Sequence, residues 1–327
     1  MFTFQKTAKE PLFHIDDKPI FTTYKKDQNS RIKPFRKSND YLGSEEFRER
    51  YDLTRNEAKQ LKRAIQSDIV PESKLKTKFY TVRKDLNKRL YTEIDLRGTN
   101  HRITWRYPTD VKAWPYSQIF IGGSNSGKTF LVTSQIEEAL KRKKKRKFLY
   151  ISPELESDTT LKKLLNSKRH QKYFQGISVS DEALEESEKD LETFWKQDVE
   201  KHLLAQPPGT CCVLDDAPDS VVQKYLQKFL NKYLRTGRHR RVGVCSIQHS
   251  IRNGKWTSQS FSSVKFVTLF VRGGGRGKQV EFLNEVAGIT RKKAHELLEL
   301  FSEHGRYLTV HMWAPAIIFG PKFALFI

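Results

Sequence analysis

The sequence predicts an α/β fold, a three-layer sandwich in which helices cover both faces of a sheet, preceded by a basic extension of mixed α and β structure. Three observations lead to this prediction. From residue 117 onward, short apolar segments alternate with longer amphipathic ones, as strands and helices do in α/β domains. A glycine-rich segment follows the first of those apolar segments, and residues 1–43 are polar, basic and irregular by comparison.

Composition limits the classes of protein to which the chain can belong. Its 327 residues include 60 Lys and Arg against 38 Asp and Glu, which leaves a formal net charge of +22. A charge of this size indicates a polyanionic partner, and nucleic acid is the usual one. The length suits one large domain with an appended segment, and we expect the division to separate 1–110 from 111–327.

Several classes are excluded by the cysteines and by the apolar segments. Cys211, Cys212 and Cys245 form no CxxC pair and have no histidines at zinc spacing, which argues against a disulfide scaffold or zinc module and suits a reducing compartment. The N-terminus lacks the apolar region of a secretory signal, and the most apolar stretch, 314–327, is interrupted and too short to span a bilayer. We therefore expect a soluble intracellular protein without a membrane partner.

The N-terminal part predicts an irregular arm over 1–43 and then a helix from Ser44 to Gln66. Ser44 can cap this helix and Glu46 lies in its first turn, where an acid is favoured. Short strands are predicted at 79–83 and 90–96.

The larger domain predicts alternating elements. Strands are expected at 118–121, 148–152, 210–214, 241–247 and 264–271, with a β-rich end from Tyr307. Helices are expected from the glycine-rich segment to Leu140, and at 181–205, 219–238 and 290–304, with Gly237 as the stop of the third.

A phosphate-binding loop is predicted between the first of these strands and its following helix. The pattern GxxxxGK[ST] is matched in full by Gly122, Gly123, Ser124, Asn125, Ser126, Gly127, Lys128 and Thr129. Such a loop turns backbone N–H groups toward phosphate oxygens at a helix N-terminus. Lys128 should reach the β- and γ-phosphates of ATP, and the Thr129 hydroxyl should be a Mg²⁺ ligand. A glycine-rich turn without a ligand is the alternative.

A second acidic motif follows at the end of a later apolar strand. Thr210 to Leu214 is followed by Asp215 and Asp216. Near a phosphate loop, Asp215 would join the Mg²⁺ shell and Asp216 would prepare the attacking water. Many motor ATPases have glutamate at the second position, and aspartate is one methylene shorter. The alternative is a simple Asx-rich turn.

The segment after the next helix limits the families that the chain can resemble. Arg235-Thr236-Gly237-Arg238-His239-Arg240-Arg241 precedes an apolar strand that ends at Gln248, where a glutamine can sense the γ-phosphate. In this order of motifs the chain resembles the FtsK–HerA superfamily of DNA-pumping ATPases, and within it the poxvirus-type genome-packaging ATPases of large DNA viruses, virophages and Polinton-like elements. The resemblance covers about residues 112–320, and residues 1–110 have no counterpart in it.

This resemblance implies a P-loop NTPase of the additional-strand type, assembled as a homo-oligomeric ring. Each nucleotide would lie at a subunit interface, where the neighbour contributes an arginine. Arg238 is our first candidate for that arginine and Arg235 the second, although both could instead contact DNA or water. The aspartate at position 216 departs from the usual glutamate and leaves the turnover rate open.

Basic segments are candidates for contact with the DNA backbone. The run 141–147 has seven consecutive Lys and Arg, which usually marks an interaction site or a localisation signal, and it could also pair with the acidic segment 181–205 of a neighbour. Residues 273–278 resemble a mobile basic loop. Lys224, Lys228 and Lys232 form a stripe on one helix, which more simply is a solvated face.

The motifs and the charge together predict an ATP-driven translocase of double-stranded DNA. The resemblance implies, more specifically, a viral motor that packages DNA into a preformed capsid and contacts a vertex or portal-type protein. Three alternatives remain open at this stage. They are a cellular or conjugative HerA-like translocase, a P-loop kinase of small molecules, and a DNA-binding structural protein that hydrolyses ATP poorly.

Overall fold

The computed structural model describes residues 2–3, 11–22, 42, 44–67, 69–71, 73–88, 93–108, 116–142, 146–168, 170–251, 260–272, 275–312 and 317–326. Two compact units are present. The first comprises Met1–Thr104 with Pro321–Phe326, and the second comprises Trp105–Gly320. The predicted division near residue 110, as a boundary between independently folding domains, stays a prediction. No helix among the described residues is both long enough and apolar enough to cross a membrane.

The strands and helices are named in chain order. The strands are β1 (Phe2–Thr3), β2 (Phe13–Ile15), β3 (Lys18–Thr22), β4 (Glu93–Asp95), β5 (Ile103–Thr104), β6 (Ser117–Ile121), β7 (Phe148–Ser152), β8 (Phe174–Ser178), β9 (Cys211–Asp215), β10 (Gly243–Gln248), β11 (Phe266–Phe270), β12 (Tyr307–His311), β13 (Ile317–Phe319) and β14 (Phe323–Phe326). The helices are α1 (Glu45–Arg50), α2 (Arg55–Ser67), α3 (Lys76–Lys88), α4 (Lys128–Lys141), α5 (Thr159–Leu165), α6 (Asp181–Glu186), α7 (191–204), α8 (Gln223–Arg240), α9 (Arg276–Glu285) and α10 (Arg291–His304).

In the first unit, β1, β3, β2 and β5 form a small sheet, and β4 pairs with β14. The prediction of an irregular arm over 1–43 is wrong for Phe2–Thr3, which pair with β3, and for residues 13–22, which form an antiparallel hairpin. Phe13, Ile15 and Ile20 are buried in it, so a short alternating pattern was hidden among charged residues. The rest of the predicted arm lies largely outside the described residues.

The helices of the first unit surround their own apolar cluster. Ser44 accepts a hydrogen bond from the Phe47 N–H and caps α1 as predicted. The single predicted helix is nevertheless two, because Asp52 adopts a left-handed backbone (φ 48°) and Thr54 and Glu57 form a capping box for α2. The strand predicted at 79–83 is also wrong: Phe79 and Val82 lie on the buried face of α3.

The second unit is built on a sheet with the order β13-β12-β11-β6-β10-β9-β7-β8. The strands from β11 to β8 are parallel, and β12 and β13 are antiparallel. Strand β10 lies between β6 and β9, which is the additional-strand arrangement. Cys212, Leu214 and Val244 pack with α8 on one face. The side chain of Asp215 alternates with Leu214 to the other face, where Thr129 of α4 approaches it. The three-layer α/β prediction is therefore confirmed.

Several predicted boundaries in this unit are wrong. The acidic helix 181–205 is interrupted at 187–190, where Glu188 has a left-handed backbone and Asp190 caps α7, whose middle turns at Trp195–Glu200 are π-helical. Helix α8 begins at Gln223 instead of 219 and continues past Gly237 to Arg240. A Cβ at Gly237 would lie 3.0 Å from the Val242 carbonyl oxygen, so a larger residue would require a small shift of the backbone there. Arg276–Lys278 of the predicted basic loop form the first turn of α9, whereas Gly273 and Gly274 lie outside the described residues.

The apolar cluster of the first unit gives a stability prediction. Leu61 is fully buried in it, so Leu61→Ala should lower the free energy of unfolding by about 2–5 kcal/mol. The exposed neighbour Lys59 supplies the matched control, because Lys59→Ala should change it by less than about 0.5 kcal/mol. Urea denaturation followed by circular dichroism measures both, and equal midpoints for the two variants would contradict the packing described.

Candidate active site

The predicted phosphate loop connects β6 to α4 and is held closely against the sheet. Gly127 and Asn125 have left-handed backbones (φ 96° and 59°), which turn the chain into a concave loop ahead of the helix. A Cβ on Gly122 would lie 2.6 Å from Phe270 Cβ and 2.8 Å from Ser126 Oγ. The Gly122 N–H donates to the Gln248 carbonyl at 3.2 Å. The loop is therefore shaped by positions where only glycine or a short polar residue fits.

Lys128 lies at the centre of this loop. Its Nζ donates to the carbonyl oxygens of Gly122 at 2.9 Å and Gly123 at 3.0 Å. Burial lowers the pKa of Lys128, and the charges of Asp216 and Asp215 act in the opposite direction. A buried ammonium group with acidic neighbours is placed to bind the oxygens of an entering phosphate in exchange for its carbonyl partners.

Asp215 ends β9 close to the start of α4. Its Oδ2 accepts a hydrogen bond from the Tyr150 hydroxyl and lies 3.5 Å from Thr129 Oγ1. Its Oδ1 is buried and has no hydrogen-bond partner in the described part of the chain. Burial, followed by the charge of Asp216, raises the pKa of Asp215 to about 7.

These groups fit a magnesium ion. Mg²⁺ prefers oxygen ligands and is usually held by one or two protein groups together with water and phosphate oxygens. The Thr129 hydroxyl and the Asp215 carboxylate are adjacent oxygen donors, and the unpartnered Oδ1 of Asp215 would gain a partner in the ion or its water. The predicted ligand pair is thus brought together.

Asp216 sits in a strained turn directly after β9. Its backbone is left-handed (φ 45°, ψ 33°), which a residue other than glycine adopts at a cost of about 1 kcal/mol or more. Its N–H donates to the Ile247 carbonyl at 3.3 Å. Its Oδ1 lies 2.9 Å from His249 Nε2, at ion-pair distance.

His249 is the site residue that sequence reasoning missed. Its Nδ1 lies 3.4 Å from Lys128 Nζ and 3.4 Å from Ser124 Oγ, so the ring spans the distance from Asp216 to the phosphate loop. The available signal was its position immediately after Gln248. Asp216, Asp219 and His249 also bring ligand atoms within 4.8 Å of one another, but the Lys128 ammonium beside the ring opposes a cation there, and we assign no metal to this group.

Gln248 is near the loop through its backbone and not through its side chain. The side chain is buried, its Nε2 donates to Ser246 Oγ at 3.0 Å, and its Oε1 has no partner among the described residues. Alternation along β10 places it on the sheet face opposite Asp215. Its role as a γ-phosphate sensor stays a prediction.

The two candidate arginines lie on α8, away from its start near the Asp216 turn. Helix α8 leads away from the Asp216 turn, and Arg235, which is exposed, lies 12 residues beyond its first residue, or about 18 Å along the axis. Arg238 is further along α8, and its side chain lies outside the described residues.

Two basic segments that are separate in the sequence meet where the parallel strands begin, at the opposite end of these strands from the phosphate loop. The Cys211 N–H donates to the Lys147 carbonyl at 2.9 Å, and the Gly209 N–H donates to the Arg241 carbonyl at 2.7 Å. Lys147 and Arg241 therefore flank the start of β9 on its two sides. We define the basic edge as the exposed residues Lys147, Arg235, His239, Arg240 and Arg241. Arg142 of the predicted run pairs with Glu138, and residues 143–145 lie outside the described part.

No protein-family model matches this sequence, and comparison with curated proteins finds no similar sequence. Among solved structures, the genome packaging NTPase B204 from Sulfolobus turreted icosahedral virus 2 is 13% identical, with a TM-score of 0.39 over 63% of this chain and 94% of that one. The pCW3 conjugation coupling protein TcpA is 13% identical, with a TM-score of 0.37, and the match covers 71% of this chain and 66% of that one. The cytoplasmic domain of the type VII secretion ATPase EccC of Thermomonospora curvata is 11% identical, with a TM-score of 0.42, and the match covers 71% of this chain and 28% of that one. At these identities the similarity concerns the fold alone.

The buried carboxyl group of Asp215 gives a pH-dependent prediction for the metal-free protein. Its pKa is raised to about 7 in the folded state, compared with about 3.9 in an unfolded chain. Between about pH 4 and pH 7 the folded state holds a proton on Asp215 that the unfolded chain has lost. The free energy of unfolding therefore falls as the pH rises through this range. Asp215→Asn removes this cost, so the variant should gain thermal stability relative to the native chain between pH 5 and pH 8. Melting curves in the presence of a chelator measure the difference, and a difference that does not depend on pH would contradict the prediction.

Proposed function

We propose that this protein is an ATPase that moves double-stranded DNA, with the specific role of packaging a viral genome into a preformed capsid. The observation that carries the proposal is the convergence of Lys128, Thr129, Asp215 and Asp216 at one edge of the sheet. This set supplies a phosphate contact, two metal ligands and an acid for the attacking water. The order of these motifs and the sheet order support placement with the FtsK–HerA-type ATPases.

Each residue has a defined task in this proposal. The backbone of residues 122–127 and the Lys128 ammonium bind the phosphates of ATP, and Thr129 and Asp215 hold Mg²⁺. When bound, Mg²⁺ would neutralise charge on the β- and γ-phosphates. Asp216 prepares the water, and Gln248 reports the presence of the γ-phosphate through β10, whose last carbonyl already contacts Gly122.

The position of the candidate arginines supports the proposal that several copies assemble as a ring. Because α8 carries Arg235 and Arg238 away from the phosphate loop of their own chain, either residue could complete a site only in a neighbouring copy. The inserted guanidinium would stabilise charge in the transition state. A capsid vertex or portal-type protein would anchor such a ring, and the motor would act inside the infected cell.

Double-stranded DNA is the partner that the charge distribution favours. The net charge is +22, and the basic edge gathers exposed Lys and Arg side chains from two segments of the chain. Such a surface binds the phosphate backbone without reading sequence, so affinity should fall steeply with salt concentration. A small-molecule kinase has no use for this surface.

The first test is ATP hydrolysis at low salt, with and without long double-stranded DNA. Hydrolysis should rise when DNA is added, and Lys128→Ala should abolish it because the phosphate contact is lost. Lys292→Ala, at an exposed position on α10, should leave the rate unchanged. Hydrolysis that is indifferent to DNA would contradict a translocase and favour a kinase. Binding of ATP without turnover, at high protein concentration and with DNA, would favour a structural DNA-binding protein.

The basic edge can be tested separately by DNA binding. The double substitution Lys147→Ala with Arg241→Ala should weaken binding equally for unrelated DNA sequences and should reduce the dependence of log affinity on log salt by about 1–2. Lys292→Ala with Lys293→Ala on α10 removes the same charge elsewhere and serves as the control. Fluorescence anisotropy at several salt concentrations measures both, and identical salt slopes for the two variants would contradict the assignment of this surface.

A further inference from the structure

We propose that His249 and Asp216 act as a pair in which the Asp216 carboxylate orients the imidazole, and Nδ1 of the imidazole accepts the proton of the water that attacks the γ-phosphate. The proposal rests on the ATPase function above and names a further residue of that same site. Asp216 then acts by orienting His249, and His249 is the group that accepts the proton from the water.

The imidazole ring of His249 lies between Asp216 and the phosphate loop. Its Nε2 lies 2.9 Å from Asp216 Oδ1, and its Nδ1 lies 3.4 Å from both Lys128 Nζ and Ser124 Oγ. One nitrogen therefore faces the acid and the other faces the phosphate loop. This is the geometry in which a carboxylate fixes a histidine and the histidine receives a proton from the reacting group.

The chemistry of Lys128 assigns the ring proton. An ammonium group has only hydrogens to donate, so the Nδ1 that faces it at 3.4 Å is an acceptor. In the neutral ring the hydrogen then resides on Nε2, facing Asp216. Oδ1 of Asp216 has no hydrogen bond of standard geometry to any described residue, so a small rotation of the ring would align this contact, as substrate binding commonly does.

Accessibility and reach favour the imidazole as the group that meets the water. The side chain of His249 is 39% exposed, whereas that of Asp216 is 20% exposed and its Oδ1 is buried. Aspartate is one methylene shorter than the glutamate that many motor ATPases use at this position. The imidazole ring extends the acid toward the phosphate loop by more than that missing methylene.

The hydrolytic step balances with these groups. Phosphate oxygens of ATP would accept hydrogen bonds from the Lys128 ammonium, which would leave Nδ1 of His249 free to contact water. The water oxygen forms a bond to the γ-phosphorus while the bond from that phosphorus to the β–γ bridging oxygen breaks, and its electron pair stays on ADP. The water proton passes to Nδ1, the Asp216 carboxylate stabilises the resulting imidazolium, and the proton leaves with phosphate or to solvent.

The test compares ATP hydrolysis by full-length variants in the presence of DNA, with ATP affinity measured separately by a fluorescent ATP analogue. His249→Ala should lower kcat by about 100-fold or more while affinity changes by less than about threefold. His249→Gln should retain part of the activity, because an amide oxygen can still orient water. His295→Ala removes an exposed histidine on α10 and should change neither quantity.

Double variants separate the pair from two independent residues. Asp216→Ala combined with His249→Ala should be about as slow as the slower single variant, since members of one unit are not additive. Asp216→Glu should restore activity to the His249→Ala protein, because the longer acid can reach the water itself. Melting curves check that each variant is folded. If His249→Ala is not folded, His249→Gln replaces it in the comparison.

The outcomes distinguish this proposal from the function on which it rests. If the native chain hydrolyses ATP in a Lys128-dependent manner and His249→Ala has the same kcat, the pair is refuted while the ATPase stands. Losses that multiply in the double variant would also refute the pair. If the native chain shows no Lys128-dependent hydrolysis, the ATPase function fails and the pair fails with it.

Discussion

The parallel register of β6, β10 and β9 is the constraint on which the site depends. Ile121 is paired with Gln248, and Ile247 is paired with Asp215, so three strands end together and release their following residues at one edge. Two backbone hydrogen bonds continue this alignment beyond the strands, from Gly122 to Gln248 and from Asp216 to Ile247. The phosphate loop and the two acids belong to segments far apart in the chain, and this shared edge is what brings them together.

Burial gives this edge its chemical character. The Asp215 carboxyl group is kept away from water with one oxygen unpartnered, and Lys128 is buried against loop carbonyls. Neither arrangement benefits the isolated chain, since buried charges and unpaired polar atoms are unfavourable. Both would become favourable in the proposed complex with a cation and a phosphate, where the site would exchange stability of the empty protein for affinity toward its ligands.

The sequence predicted what depends on local pattern and missed what depends on tertiary contact. The core strands and the phosphate loop follow from apolar runs and from glycine spacing, which are local. The hairpin at 13–22 and helix α3 were missed because their apolar residues are sparse and gain their meaning only from burial of Ile20, Phe79 and Val82. His249 was missed for the same reason: a lone histidine carries no spacing signal, and its contacts with Asp216 and Ser124 bridge segments of the chain that are distant in sequence.

Helix α8 begins just after the turn that holds Asp216, and its last turns carry part of the basic edge. An 18-residue helix is about 27 Å long, and the buried residues of this one share an apolar cluster with Trp195, Val199 and Leu203 of α7 and with strands of the sheet. In the proposed motor, this helix would carry a displacement of the Asp216 turn on loss of phosphate to the charged side chains at its other end.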